Sequence, residues 1–241
     1  MPEAAPQKQG PHAAGPVAPG AIPHGVAGPH HPALMHHFDD LEQQKEAASL
    51  GMWVFLATEV LFFGGLFATY MVYRIWYPEV FGEASRHLDL TLGALNTAVL
   101  ICSSLTMAIA VHASAIGRRG TLMLMLVLTM ALGSVFLGIK GYEYYTKWVE
   151  HLIPGPGFRF EHGDAMHAQI FYSLYFAMTG LHATHMVIGL GILSGILFMA
   201  WRGRFTPEWN TPVEVTGLYW HFVDIVWIFL FPLLYLVDRH S

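Results

Sequence analysis

The sequence LGMWVFLATEVLFFGGLFATYMVYR, residues 50–74, decides the class of fold. It is apolar almost throughout and exceeds the roughly 20 residues that a helix needs to cross a bilayer core. Its one acidic residue is Glu59. At about 1.5 Å of rise per residue, Glu59 lies roughly 13 Å below the start of the run, near the middle of the membrane. We therefore predict a membrane-embedded carboxylate, which is costly unless a specific contact retains it.

The faces of this first span predict the surroundings of Glu59. Gly64 and Ala68 fall on the side opposite the acid, and a small-residue face favours close packing on a neighbouring helix. We therefore expect Glu59 to look outward among three phenylalanines: Phe55, Phe62 and Phe63. Because an apolar setting disfavours the charged form, the carboxyl is expected to be protonated at neutral pH. It then serves either as a proton, inhibitor or lipid-headgroup site, or as the donor of one buried hydrogen bond.

The composition indicates a multi-span membrane protein rather than a soluble globule. Charged residues make up 12% and aromatic residues 14% of the chain, and the mean hydropathy is +0.43. The formal net charge of -5 offers no basis for nucleic-acid binding. Cys102 is the only cysteine, which excludes an intrachain disulfide and a thiolate metal cluster. The first residues lack a basic region followed by an apolar core, so no signal peptide is expected.

A hydrophilic tail rich in Pro, Ala, Gly and His precedes the first span and covers residues 1–48. It has no apolar periodicity, so we predict that it is largely disordered up to about His37. Its histidines allow a metal site, but a solvated low-complexity tail is the favoured interpretation. The polar segment DDLEQQK, residues 39–45, is compatible with a helix that leads into the first span.

Hydropathy predicts an all-α bundle of five transmembrane helices within a membrane domain at residues 49–241. The spans are expected at about 50–74, 90–113, 120–146, 165–201 and 214–237. The two longer connections, at about 75–89 and 147–164, are expected to be loops on one side. The two short connections are basic and carry Arg118, Arg119, Arg202 and Arg204. The positive-inside rule then places the N-terminus in the cytoplasm and the C-terminus outside.

Polar residues recur inside the later spans and predict contacts between helices. The second span carries Asn96, and the fourth carries His182 and His185 in GLHATHMVIG, on a face shared with Tyr175, Met178 and Gly189. In the fifth span, His221 and Asp224 are three residues apart, so they can satisfy each other. Glu143 follows Lys140 by three residues near the end of the third span, which favours a local ion pair near the membrane interface.

Two interpretations of these polar groups remain open. Histidines on two spans, with Glu59 and Glu143, allow a haem or di-iron site, as in a self-contained membrane redox protein. The absence of a Glu-x-x-His motif disfavours a di-iron bundle. The favoured interpretation is that these groups bond across helices or hold lipid headgroups, so neither a catalytic residue nor a metal ligand is predicted. A proton transporter is a third class, which the lack of an internal repeat disfavours.

Five motifs on successive spans resemble subunit III of the haem-copper oxidases, closest to the cytochrome c oxidase branch in its five-helix bacterial form. They are TEVLFF at 58–63, LNT at 95–97, EYY at 143–145, GLHATHMVIG at 180–189 and YWHFVDIVWIFLF at 219–231. The resemblance runs from about residue 50 to 237. Many members of this family have seven spans, and here the hydrophilic tail stands where the first two would be.

The resemblance implies an accessory subunit without a redox centre of its own, in an aa3-type oxidase of the bacterial inner membrane that reduces oxygen and pumps protons. Haem a, haem a3 and copper would belong to partner subunits, cytochrome c would be the donor, and this chain would bind phospholipid. Its implied partners are subunit I, in direct contact, then subunit II and a small subunit IV. It would support proton uptake and stability during turnover. Glu59 matches the family's carbodiimide-reactive glutamate, and His182, His185 and His221 match positions at its lipid cleft or interhelical contacts. A quinol oxidase, or a relative linked to nitric oxide reductase, is the alternative within the family.

Overall fold

The structure is a computed structural model that describes residues 38–160 and 164–236, and within them the chain is helical. Six helices follow one another: α1 Leu41–Trp76, α2 Pro78–Arg86, α3 Leu90–Ala115, α4 Arg119–Val149, α5 Ala165–Trp201 and α6 Thr211–Tyr235. Five of them, all except α2, are long and apolar enough to cross a membrane, which confirms the five predicted spans. The prediction of a disordered tail up to residue 37 lies outside the described residues.

Helix α1 begins before the apolar run, as the polar segment ahead of the first span predicts. Asp40 caps its N-terminus by accepting a hydrogen bond from the Gln43 backbone N–H at 2.7 Å. The Gln43 side chain accepts in return from the Asp39 backbone N–H at 2.8 Å. One turn later, Lys45 pairs with Glu214 at 3.1 Å. This extension therefore joins the start of α1 to the start of α6.

Helices α3, α4, α5 and α6 form a closed four-helix bundle, because each packs against two of the others. Helix α1 lies outside this ring against α5 and α6 and does not pack against α3 or α4. The difference shows in burial: within an apolar stretch of 18 residues, 56% of the residues are buried in α6 and 11% in α1. Helix α6 is thus the central element, and its outward face lies between α1 and α3.

Trp220 of α6 occupies the middle of the bundle and is fully buried. Two glycines make room for its indole ring: a Cβ added at Gly133 would lie 2.8 Å from the ring, and one added at Gly189 would lie 3.0 Å from it. The indole N–H donates to Ser103 Oγ at 2.9 Å. One side chain therefore contacts α3, α4 and α5 together, and glycine is needed at two of those contacts for steric reasons.

The prediction of a loop at residues 75–89 is wrong over most of its length, because α2 lies there. Proline cannot continue a helix but suits its first turn, so Pro78 ends α1 and starts α2. Phe81 packs against Tyr70 and Phe171, with ring centroids 5.4 and 5.3 Å away. Ser85 donates to the Leu234 backbone carbonyl at 2.7 Å, which satisfies one of the free carbonyls at the end of α6. Helix α2 therefore seals one end of the bundle.

The two short basic connections meet at the opposite end. Arg119 donates from its guanidinium to the Trp201 backbone carbonyl, which joins the start of α4 to the end of α5. Gly117 and Gly203 turn the chain at φ values of 71° and 69°, a region that suits glycine. Because α1 and α6 also begin at this end, the predicted cytoplasmic features share one side of the molecule.

Candidate functional site

The polar side chains predicted within the spans fall into three separate places rather than one site. Glu59 and His185 meet between α1 and α5, and Lys140 and Glu143 lie inside the four-helix bundle. His221 bonds to Ser104 between α6 and α3. The structure therefore divides the sequence-predicted residues among three helix interfaces.

Glu59 faces His185, with Oε2 3.2 Å from Nε2, although the two are not aligned as a hydrogen bond. The Glu59 side chain is 18% exposed. The Phe63 ring packs on the imidazole, with centroids 5.7 Å apart. His185 Nδ1 lies 2.9 Å from the Leu181 backbone carbonyl, which orients the ring. A carboxyl and an imidazole thus share one partly buried position between α1 and α5.

The predicted orientation of the first span is therefore wrong. The face that packs on the bundle carries Glu59, Leu56 and Phe63, whereas Gly64 and Ala68 are exposed. No atom lies within 4 Å of a Cβ added at Gly64. The prediction assumed that the small residues Gly64 and Ala68 would let α1 pack closely on a neighbouring helix. The structure instead packs the larger side chains Leu56 and Phe63 on the bundle, and His185 gives the acid a partner.

Lys140 and Glu143 form the predicted ion pair, with Nζ and Oε2 2.9 Å apart, and the pair is buried inside the bundle. The two side chains are only 4% and 2% exposed. Two tyrosines from other helices complete the group. Tyr175 of α5 donates to Glu143 Oε1 at 2.8 Å, and the Tyr235 hydroxyl of α6 contacts the same oxygen at 2.5 Å.

We call Lys140, Glu143, Tyr175 and Tyr235 the bundle-end cluster. Its ammonium also lies 2.6 Å from the Tyr235 oxygen and 4.7 Å from the centre of the Trp227 ring, a cation–π distance. Every charged atom therefore has a partner, which offsets the cost of removing two charges from water. Sequence analysis missed both tyrosines as members of this group. The available signal was that a buried Lys–Glu pair leaves donors and acceptors that neighbouring helices must satisfy.

Two predicted residues nearby have no hydrogen-bond partner in the part of the chain that the structure describes. Asn96 is fully buried, and neither atom of its amide bonds to a described residue. His182 is 1% exposed, and neither ring nitrogen is bonded to a described residue. Its ring lies against Phe136 and Trp227, with centroids 5.4 and 5.3 Å away. As predicted, His182 shares a face with Tyr175, Met178 and Gly189, and the structure buries that face. Neither Asn96 nor His182 makes the expected bond across helices to a described residue.

Other polar residues of α3 do bond across helices, as predicted. Thr97 accepts from the Trp227 indole N–H at 3.1 Å, and the hydroxyls of Thr106 and Thr129 are 2.8 Å apart. Ser104 Oγ lies 2.7 Å from His221 Nδ1. The expected His221–Asp224 pair is therefore wrong: the imidazole bonds to α3 instead, and neither Asp224 oxygen bonds to a described residue.

Two open grooves flank His221. One, of about 440 Å³, lies between α3 and α6 and includes Ser104, His221 and Asp224 among its lining residues. The other, of about 500 Å³, lies between α1 and α6 and is lined almost entirely by apolar side chains, Trp53 and Phe229 among them. We call them the α3/α6 groove and the α1/α6 groove. Both grooves are mainly apolar and share His221, and the first also contains Ser104 and Asp224.

The acidic and histidine side chains of the described residues do not converge on one point. Across residues 38–160 and 164–236, no three His, Cys, Asp or Glu side chains are grouped closely enough to hold an ion. The three histidines of the later spans have different neighbours: aromatic rings for His182, Glu59 for His185 and Ser104 for His221.

A further polar group lies at the end of the bundle that α2 seals. Asp164 caps α5 by accepting from the Met166 backbone N–H at 3.0 Å, and its other oxygen lies 2.5 Å from His167 Nδ1. This contact with His167 lowers the pKa of the Asp164 carboxyl below its ordinary value. The His167 ring stacks on Tyr77, with centroids 3.6 Å apart. Sequence analysis did not identify this group.

Comparison with known proteins identifies the family. The family described as cytochrome c oxidase subunit III matches residues 36–238, which is most of the chain. The chain belongs to the cytochrome c oxidase subunit III family. It is 32% identical to the cytochrome c oxidase subunit 3 of Thermostichus vulcanus over 83% of this chain and 92% of that protein. It is 31% identical to the quinol oxidase subunit 3 of Bacillus subtilis over 82% of this chain and 92% of that protein.

A third relative is the cytochrome c oxidase subunit 3 of Corynebacterium diphtheriae, 34% identical over 79% of this chain and 88% of that protein. Membership of this subunit III family confirms the resemblance stated from the five motifs. It makes the chain an accessory subunit of a haem-copper oxidase in a membrane, with other oxidase subunits as its partners. Relatives named for cytochrome c and for quinol match about equally well, so identity does not select the electron donor.

Proposed function

We propose that the chain is the non-redox subunit III of a proton-pumping aa3-type cytochrome c oxidase in a bacterial inner membrane. It packs directly on subunit I, with subunit II and a small subunit IV as further partners, and cytochrome c donates electrons to the complex. Haem a, haem a3 and copper are held by those partners. The observation that carries this proposal is the match of residues 36–238 to the family, together with polar groups that bond between helices instead of converging on one centre.

Lipid binding is the second part of the proposal. Helix α1 touches the bundle only through α5 and α6, and the apolar α1/α6 groove of about 500 Å³ runs beside it. An apolar groove suits an acyl chain, because the two apolar surfaces pack together and neither needs a polar partner. Bound phospholipid would fix α1 against α6 and thereby hold Glu59 against His185. We propose that this rigidity underlies support of proton uptake and stability during turnover.

The basic connections at one end of the bundle support a proposed orientation in the membrane. Arg118, Arg119, Arg202 and Arg204 occupy connections that meet at the end where α1 begins. A basic end is retained on the cytoplasmic side. We therefore place the N-terminus in the cytoplasm and the C-terminus in the periplasm.

A pull-down of the tagged chain in mild detergent, with an optical spectrum and subunit identification on the same sample, tests the oxidase assignment. Co-purification of larger subunits with an a-type haem band is the expected result, and subunit II then identifies the donor. A quinol-type subunit II would replace cytochrome c by quinol, the alternative that the Bacillus subtilis relative favours. A colourless chain without partners would contradict the oxidase role. A coloured chain without partners would instead support a self-contained redox protein.

Glu59→Gln tests whether the mid-membrane carboxyl acts by titration or by structure. Glutamine keeps the size and hydrogen-bonding capacity of the side chain but cannot titrate. We expect assembly and haem content to stay unchanged, while labelling by a carbodiimide at this position is lost. His185→Gln is the matched control on the other side of the contact and should preserve the labelling. Loss of haem from the Glu59→Gln complex would mean that the carboxyl is structural.

A further inference from the structure

The outward face of α6 carries His221, and one nitrogen of its ring is not bonded to a described residue. His221 is the eleventh of the 25 residues of α6, which runs from Thr211 to Tyr235, so it lies near the middle of the span. Its Nδ1 is bonded to Ser104 at 2.7 Å, and Nε2 makes no hydrogen bond to a described residue. Because the hydrocarbon core contains no water to satisfy an imidazole, an open Nε2 at this depth calls for a partner outside the chain.

Behind His221, further polar side chains lie deeper in the protein. Asp224 is 3% exposed, lines the same α3/α6 groove, and neither of its oxygens bonds to a described residue. Ser104 has one proton to donate. If His221 donates from Nδ1 to Ser104, the serine is free to donate to Asp224, and Nε2 becomes an acceptor. If Ser104 donates to Nδ1, then Nε2 carries a proton and becomes a donor.

These alternatives define the chemistry of the partner. A hydroxyl or carboxamide side chain donates as well as accepts, so it satisfies Nε2 in either state. A lipid headgroup does not fit, because headgroups lie roughly 15 Å from the bilayer centre, at half the thickness of the hydrocarbon core. A lipid tail fills the groove but leaves the imidazole without a bond. A transmembrane helix meets both requirements, since it reaches mid-membrane depth with its own backbone satisfied.

The surroundings of His221 suit such a helix. The groove of about 440 Å³ is bordered by exposed apolar residues of both walls: Ile101 and Leu105 on α3, Ile225 and Ile228 on α6. Residues 221, 225 and 228 of α6 follow the spacing of one helical face. Apolar packing on both sides of one polar contact is the usual arrangement between helices in a membrane.

We infer that the α3/α6 groove is the docking surface for a transmembrane helix of another oxidase subunit, which presents a hydroxyl or carboxamide side chain to His221 at mid-membrane depth. This inference rests on the proposed function, because it takes the partner from the oxidase. Ser104 is a positioning residue here, because its bond to Nδ1 orients the imidazole. The apolar α1/α6 groove stays available for lipid.

A photocrosslinking residue at Ile101, inside the complex purified from cells, tests the location. Ile101 lines the groove and is 55% exposed. Val135 of α4, which is 49% exposed, provides the control on the opposite wall of the bundle. We expect irradiation to join Ile101, and not Val135, to a larger subunit. Adducts of Ile101 with lipid alone, in a complex that retains its subunits, would overturn the inference, as would capture of that subunit from Val135 alone.

His221→Leu and His221→Gln test the polar contact. Leucine keeps the apolar packing and removes the bond, so we expect retention of the chain during detergent washing to fall roughly three- to tenfold, the effect of one interhelical hydrogen bond. Glutamine both donates and accepts, so it should restore retention. Retention of the leucine variant at the wild-type level would overturn the inference. Failure of the wild-type chain to bring down any haem-containing subunit would instead contradict the proposed function itself, which separates the two results.

Discussion

The bundle-end cluster and the α3/α6 groove each contain a buried carboxyl, but only the carboxyl of the cluster bonds to other described residues. In the cluster, Glu143 bonds to groups from three helices: Lys140, Tyr175 and Tyr235. In the groove, Asp224 is just as deeply buried but bonds to no described residue. The first is complete within the chain, whereas the second has a polar side chain, His221, at its open edge. A closed polar network contributes to the stability of the chain, and an open one is a place where something else binds.

Lys140→Met should have the largest effect on stability. It leaves Glu143 buried without its cation, so the free energy of unfolding should fall by about 3–5 kcal/mol, as when one partner of a buried ion pair is removed. Unfolding by SDS in mixed micelles, followed by circular dichroism, measures this change. Lys45→Met is the control, because Lys45 is 50% exposed in its ion pair with Glu214 and should change the value by about 0–1 kcal/mol. Equal effects of the two variants would contradict the distinction between buried and exposed pairs.

Glu143→Gln and Asp224→Asn apply the same chemical change to the two regions. The amide at position 143 leaves Lys140 without a counter-charge and places an N–H beside donors, so unfolding should become easier by about 2–4 kcal/mol. The amide at position 224 loses no bond to a described residue, and we expect a change of about 0.5 kcal/mol or less. The SDS titration of the purified chain gives both values. A large loss at position 224 would show that the groove is closed within the chain after all.

Gly133→Ala tests the packing between the two regions. Its Cβ would lie 2.8 Å from the Trp220 ring, which is fully buried and held by Ser103, so overpacking should cost about 1–3 kcal/mol. Gly138→Ala on the same helix has no atom within 4 Å of the new Cβ and should be neutral or slightly stabilising. The difference between their SDS unfolding midpoints is the measurement. If both variants unfold alike, Trp220 is free to move and does not hold α4 and α5 in place.

Asp164 should give the smallest effect, and it depends on pH. The folded chain holds this carboxyl at a lower pKa than the unfolded chain does, because of its contact with His167. The contact therefore stabilises the fold above the ordinary Asp pKa of 3.8, and this contribution is lost as pH falls through the lower folded value. We expect thermal unfolding midpoints of Asp164→Asn to lie slightly below wild type at pH 6 and to converge with it in acid. Midpoints that diverge as the pH falls would contradict this assignment.

Features that depend on one helix at a time were predicted from the sequence, and contacts between helices were not. The number of spans and their approximate bounds followed from hydropathy, since the length of an apolar run sets whether it can cross a bilayer. The Lys140–Glu143 pair followed from spacing on one helix. Its burial, and its bonds to Tyr175 and Tyr235, did not, because those tyrosines lie on two other helices. The face that His182 shares with Tyr175, Met178 and Gly189 was predicted, whereas its lack of a hydrogen bond to a described residue was not.

The sequence by itself determined the class of protein, the five spans and the family, because these depend on composition, run length and ordered motifs within single helices. The tertiary structure alone decided which polar groups meet. Helix α1 turned Glu59 toward His185 instead of toward lipid, and α3 drew His221 away from Asp224. The physical reason is that contacts between helices depend on their rotation and order in the bundle. These are set by the packing of large side chains such as Trp220 and Phe63, which no single span reveals.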